Sequence, residues 1–358
     1  MDRVRTGQKH GFTLMELIVA MALGLLVLAA MASLFRTGLN ATMLVTQRAE
    51  TQQNMRAAVD LMVKDISMAG AGLPAGGIQL PNGGGATPSR FGCDQGGTCH
   101  VPAFNYPNNN YMYGILPGFN NGVENNSVIA AAPPPILNDS ITVIYADYNF
   151  PLWEYDITFP APGNGGAITL APDPAFVPAP ALINAAGGIQ VGDLIMLSNS
   201  LGTAVGEVTD LTAGSMTFAD ADGLNINQNG AALNNIKAIS AGANTVAYRL
   251  FVVTYYLTVP ANGQTPRLMR QVNGLNPVPV ADNIINLQFA YDTYNSLTSA
   301  LDANQTNPIG VGESPNLIQK INVVVMGQSM LNNGNKSQNM YLATSVSARN
   351  MAFRNRYQ

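Results

Sequence analysis

Residues 11–35 read GFTLMELIVAMALGLLVLAAMASLF. From Leu17 to Phe35 there is no charge, and Ser33 is the only polar side chain. As a helix, 12–35 is about 36 Å long, enough to cross a bilayer with some tilt. The flank before it is basic, with Arg3, Arg5 and Lys9 beside His10. That bias predicts a cytoplasmic N-terminus and a C-terminal bulk on the far side. A cleaved secretory signal is the competing reading, and Ala29-Ala30-Met31-Ala32 could supply its site. The apolar run is too long for that, and an acid near its start is out of pattern.

The acid is Glu16. A carboxylate at the centre of a membrane helix costs about 2.5–3.5 kcal/mol on insertion scales, so it calls for a partner. One reading is an interfacial acid favoured by the helix dipole. The sharper reading involves a cut after Gly11. Phe12 would then carry a new α-amino cation. Glu16, four residues on, would lie near the depth of the same amine on a neighbouring subunit.

Gly11-Phe12-Thr13-Leu14-Met15-Glu16, after a short basic leader and before an apolar helix, resembles the processing motif of type IV prepilins and type II secretion pseudopilins. The resemblance implies cleavage between Gly11 and Phe12 by a membrane-embedded prepilin peptidase. It also implies N-methylation of Phe12 and an assembly role for Glu16.

The helix is expected to continue outward. Between Arg36 and Ala69 there is no proline, and Gly38 is the only glycine. Met55, Val59, Met62, Val63 and Ile66 recur at three- and four-residue steps, one face of an amphipathic helix. Arg48, Glu50, Arg56, Asp60, Lys64 and Asp65 are assigned to its wetter face, with Asp60 and Lys64 as an i,i+4 pair. The run Gly70-Ala71-Gly72-Leu73-Pro74 stops the helix. Gly24 and Gly38 lie inside it, as points of close packing or of local melting during assembly. The expected organisation is a leader over 1–11, a helix over 12–69 (12–35 in the membrane, 36–69 amphipathic) and a β-rich head over 70–358.

The head opens with loop chemistry at 81–85 (PNGGG), 105–114 (NYPNNNYMYG) and 130–135 (AAAPPP). Cys93 and Cys99 are the only cysteines, in FGCDQGGTCH. An exported head predicts a disulfide between them, worth about 2 kcal/mol for so short a loop. A Cys/Cys/His metal site with His100 is the rival, but the only other histidine is His10 in the leader. Strands are expected at 139–147, 152–159, 191–198, 204–211, 245–259, 267–272, 284–291, 318–326 and 338–348, with a turn at 199–202. The class is α+β: a long membrane helix packed on a large antiparallel sheet.

Further segments resemble the PilW-type minor pilins. They are Arg56-Ala57-Ala58 through Lys64-Asp65-Ile66-Ser67-Met68-Ala69-Gly70 at the helix exit, Val191-Gly192-Asp193-Leu194-Ile195, Leu268-Met269-Arg270, the 284–291 segment, and the ending Arg354-Asn355-Arg356 with Arg349-Asn350 before it. Ser67 stands where that pattern often has Arg. The J-type pseudopilins share the layout with shorter heads.

Composition argues against other classes. Only 11% of residues are charged, and the net charge is −4. The leader holds three basic residues and one acid, so its loss takes the charge to −6. That leaves no basic footprint for nucleic acid. Catalysis by a histidine-assisted nucleophile has only His100 to draw on, and no phosphate-binding glycine loop is present. Acid pairs such as Asp220/Asp222 or Asp139/Asp147 read as turn and strand-edge solvation. The Asp220–Asn225 run hints at calcium without the full set of ligands. No catalytic, cofactor or metal residues are therefore assigned. The asparagine clusters and the Tyr106/Tyr111/Tyr113 group leave room for an adhesive head, although asparagine is first a turn residue.

The expectation is a minor pilin acting in assembly initiation or a tip complex. Its expected partners are prepilin peptidase, other minor and major pilins, the inner-membrane assembly platform and lipid. Its expected route is single-pass inner membrane, then the pilus surface. A secretion pseudopilin and a membrane-tethered recognition head are the alternatives.

Overall fold

The structure, a computed structural model, describes residues 11–81, 89–101, 111–124, 137–160, 163, 165–178, 188–230, 233–259, 266–329 and 338–351. Leader residues 1–10, Tyr106, Asn108–Asn110, Asn125–Asn126, Asn332–Asn335 and the Arg354-Asn355-Arg356 ending lie outside the described residues.

One helix, α1 (Leu14–Met68), dominates the chain. It starts at Leu14 rather than Phe12 because Thr13 caps it. The Thr13 hydroxyl accepts the Glu16 N–H, and the Glu16 carboxylate accepts the Thr13 N–H. This reciprocal pair satisfies two backbone donors that the first turn leaves open. At its far end, Gly70 and Gly72 take left-handed backbone angles that suit glycine. A side chain at Gly72 would also strike Tyr148 and Ala146. At 1.5 Å per residue, α1 is about 82 Å long.

Its two halves differ. The apolar half is long enough to cross a membrane and is unburied by the rest of the chain. From Thr51 on, one face is covered: Thr51, Met55, Ala58, Val59, Met62, Asp65 and Ile66 are buried. Asp65 corrects the sequence reading, which set it on the wet face. It follows Ala58 by seven residues and Met62 by three, so helix geometry carries it into the apolar stripe.

The strands, in order, are β1 (Ile78–Gln79), β2 (Tyr111–Met112), β3 (Ile115–Gly118), β4 (Ser140–Asp147), β5 (Tyr155–Thr158), β6 (Ala167–Pro172), β7 (Leu194–Asn199), β8 (Gly202–Glu207), β9 (Asp210–Thr212) and β10 (Ser215–Thr217). After a short helix, α2 (Ile236–Ile239), come β11 (Val246–Thr258), β12 (Arg267–Val272), β13 (Val278–Asp282), β14 (Ile284–Asn295), β15 (Ala300–Gln305), β16 (Ile318–Gln328) and β17 (Asn339–Ser347). Two expected strands are broken. Leu152–Glu154 forms a helical turn before β5. The 204–211 strand divides at Val208-Thr209 into β8 and β9, which belong to different sheets.

The fold is α+β, and every pairing between these strands is antiparallel. The central sheet runs β13-β12-β11-β4-β3. Thirteen-residue β11 is its spine: residues 246–250 pair with β7, residues 253–258 with β12, and residues 249–255 with β4 on the other side. A second sheet runs β15-β14-β16-β17. The helix lies against β13 and β4 of the first sheet and β16 and β17 of the second. The main core fills the space between, with Met62 and Ile66 from the helix and Tyr255, Leu287, Phe289 and Val323 from the strands. A separate lobe, β5-β6-β10-β9 with α2, has its own core around Ile168, Ile195 and Phe218.

Candidate assembly site

The start of the helix, where a cut is expected, is exposed. Phe12 is 91% exposed, and Gly11 is exposed beside it. A side chain at Gly11 would meet nothing among the described residues, and its backbone is not left-handed. Neither space nor conformation therefore demands glycine at this position. Gly24 and Gly38 are equally open. Glu16 is exposed on the same turn, and its Oε2 lies 3.0 Å from both the Thr13 amide nitrogen and Oγ1. This carboxylate is held at the start of the helix by hydrogen bonds to neutral groups.

At the other end, three strands converge on one helix carboxylate. Arg270 of β12 donates from Nε to Asp65 Oδ2 at 2.9 Å, and from Nη2 to Oδ1 at 3.4 Å. Tyr255 of β11 donates to Oδ2 at 2.6 Å. Tyr145 of β4 donates to Oδ1 at 3.0 Å. Tyr255 and Arg270 are direct cross-strand partners, so the sheet itself aims two of the donors. Burial and then the Asp65 charge push both tyrosines above their ordinary range, so they stay protonated donors at neutral pH. Burial works against the Arg270 charge, yet Asp65 and Tyr255 outweigh it and its pKa rises. The result is a fully engaged buried ion pair that locks the rotation and depth of α1 on the sheet. Sequence reasoning quoted Asp65 and Arg270 in two separate segments without joining them. The available signal was a charge on the apolar stripe.

Cys93 and Cys99 are disulfide-bonded, as expected. Inside the loop, Asp94 accepts from the Thr98 and Gly97 amides and its own amide donates to Thr98, closing a tight turn. With both sulfurs bonded to each other, the Cys/Cys/His set has no thiolate to offer. His100 instead stacks on Tyr256 with centroids 5.9 Å apart, and its Nδ1 meets Glu124 Oε1 at 2.8 Å. The Gln95 amide donates to the Gly274 carbonyl at 2.9 Å, and the Gln95 side chain also bonds the Val191 carbonyl. The loop thus bears on the segments flanking β7 and β12.

The other sequence candidates are accounted for locally. Asp222 accepts the Ile226 and Asn227 amides at 2.8 Å each, and Asp220 accepts Asn229. These carboxylates cap their own loop. Asp139 and Asp147 lie at opposite ends of β4: the first accepts the Asn120 and Phe289 amides, and the second pairs with Arg249. Tyr111 and Tyr113 stack on each other at 5.7 Å. Of the nine non-glycine residues with positive φ among the described residues, seven are asparagine, so turn geometry accounts for these amides directly. Beneath the disulfide loop, Glu207 and Asp222 form a buried carboxyl pair. Burial first, and the Asp222 carboxylate second, push the Glu207 pKa up to about 8.

Residues 7–32 match a family described as the prokaryotic N-terminal methylation motif. No curated protein and no solved structure matches the chain. The match spans Gly11-Phe12 and most of the apolar helix, and it indicates a type IV pilin-like or pseudopilin precursor anchored in a membrane.

Proposed function

We propose that this chain is a minor pilin, cut by prepilin peptidase between Gly11 and Phe12 and methylated at Phe12. The observation that carries the reading is the methylation motif running directly into a bare apolar helix whose outer third is seated on a β-rich head. Glycine at position 11 has no role inside the fold, which fits a requirement set by the peptidase. In this reading, 1–11 is the leader, 12–69 the assembly helix and 70–358 the head. Helix packing drives entry into the filament. Glu16 exchanges its Thr13 contacts for the Phe12 amine of a neighbouring subunit, so two charges cancel in an apolar bundle.

The PilW-type assignment draws support from Asp65 and Arg270. They come from two of the resembling segments and meet as one ion pair. The role is initiation or a tip complex with other pilins on the inner-membrane platform, followed by surface display. The motif is common to secretion pseudopilins, so these form the second reading. Deletion of the gene separates the two. Loss of surface filaments with normal protein secretion supports the minor pilin, and loss of secreted proteins with filaments intact supports the pseudopilin. In the same strain, Glu16→Leu is expected to reach the membrane processed but fail to enter filaments.

A further inference from the structure

The second sheet has two dissimilar edges. At one edge, α1 and the start of β17 enclose a groove of about 380 Å³. Its lining includes Met55, Met340, Tyr341 and Leu342, with Arg48 and Arg56 on the rim. Both arginines are exposed, and neither forms an ion pair among the described residues. Tyr341 is 70% exposed. This is an apolar floor under two uncompensated cations.

At the opposite edge, the β14–β15 hairpin ends in a cluster of the opposite kind. Leu297, Leu301, Ile309 and Val311 are each more than half exposed. Asn295 ties the parts together by donating to the Asp302 carboxylate at 2.9 Å and to the Val311 carbonyl at 3.3 Å. Leu297 packs beside Gly312. Asp302 and Glu313 sit among these aliphatics, and neither has a cation partner among the described residues. The hairpin end is an apolar knob with two uncompensated acids.

Knob and groove also lie at opposite ends of the strands. The register aligns Ile284 with Gly327 and Gly327 with Met340, at the groove end. A side chain at Gly327 would meet Met55, which places this end beside the first seated turn of α1, nearest the membrane half. Thr293 aligns with Ile318, at the far end of the sheet. Along β14 the two features are about 35 Å apart at the usual strand rise. A surface whose complement lies elsewhere on the same molecule can make a head-to-tail contact between copies.

We propose that the membrane-distal β14–β15 hairpin of one copy docks in the membrane-proximal α1–β17 groove of the next copy. Asp302 and Glu313 then face Arg48 and Arg56, and the aliphatic knob covers Met55, Met340 and Tyr341. The contact is small, but neighbouring helices in a filament hold the heads at high effective concentration, so it need not be tight alone. This inference rests on the pilin-like reading above and places at least two copies of this chain side by side in the assembly.

The test is oxidative crosslinking of full-length chains in membranes that also carry prepilin peptidase and the assembly machinery. Leu301→Cys and Tyr341→Cys chains carry different tags, and Val311→Cys with Arg48→Cys forms a second pair. The expected result is a mixed-tag dimer only when both partners of a pair are present. Adding Arg56→Glu should lower its yield by about tenfold, since like charges then meet, and Glu313→Lys on the other partner should restore it. Three results overturn the proposal: no dimer from either pair, dimers formed by one variant alone, or crosslinks solely to a different protein. The N-terminus is read in the same samples. A cut at Phe12 without a dimer overturns the contact alone, while an uncut chain without a dimer overturns the filament reading as well.

Discussion

Asp65 shows how a single residue can set the geometry of the whole. It is 3% exposed and has three strand donors, so its charge is tolerable only while they remain. Removing one partner of a buried pair strands the other charge, which costs about 3–5 kcal/mol. Asp65→Ala should destabilise the detergent-solubilised full chain by that amount in urea melts. Replacing both charges, Asp65→Leu with Arg270→Met, should recover much of the loss, because the penalty lies in the uncompensated charge. A single-variant loss within about 0.5 kcal/mol, typical of surface sites, would argue against the seat. Glu207 supplies a pH test. The folded chain holds that proton up to about pH 8, whereas an ordinary glutamate releases it near 4.5. Between these values the folded state binds more protons than the unfolded one, so stability falls as pH rises through the window. Glu207→Gln should flatten this slope in melts run from pH 5 to 8.

Among the elements, the legible ones were those whose pattern is set by one dominant force. The membrane half of α1 announces itself by an unbroken apolar run, and its outer half by a 3.6-residue stripe. β4, β11, β12, β14, β16 and β17 were readable because apolar side chains alternate along them or fill them. β15 (ALDANQ) was hidden because it is an exposed, polar edge with no apolar rhythm. β13 (VPVAD) was hidden because it carries a proline, tolerable at an edge position. The Asp65 seat was hidden for another reason: charge argued for water, and only the tertiary structure brings Tyr145, Tyr255 and Arg270 to it. The disulfide was readable from the export expected of the head and from the cysteine spacing. Its loss should be local. Cys93→Ala with Cys99→Ala should cost about 2 kcal/mol. It should also speed hydrogen exchange at Asp94–Thr98 while leaving α1 and β11 protected.

For the whole molecule, the chain reads as a display device. A bare apolar helix carries the motif, a buried ion pair sets its angle, and in the proposed assembly the head offers surfaces to neighbours. Because Gly11 has no packing contact among the described residues, Gly11→Lys should leave the head's urea midpoint unchanged while the leader stays attached. That separation of folding from processing is what a maturation signal requires. The most direct measurement is peptide mass spectrometry of the N-terminus, taken from cell membranes and from sheared surface filaments. The account predicts a peptide beginning at N-methylated Phe12, together with head peptides in the filament fraction. A chain that keeps residues 1–11, or one cut near Ala32, would contradict it.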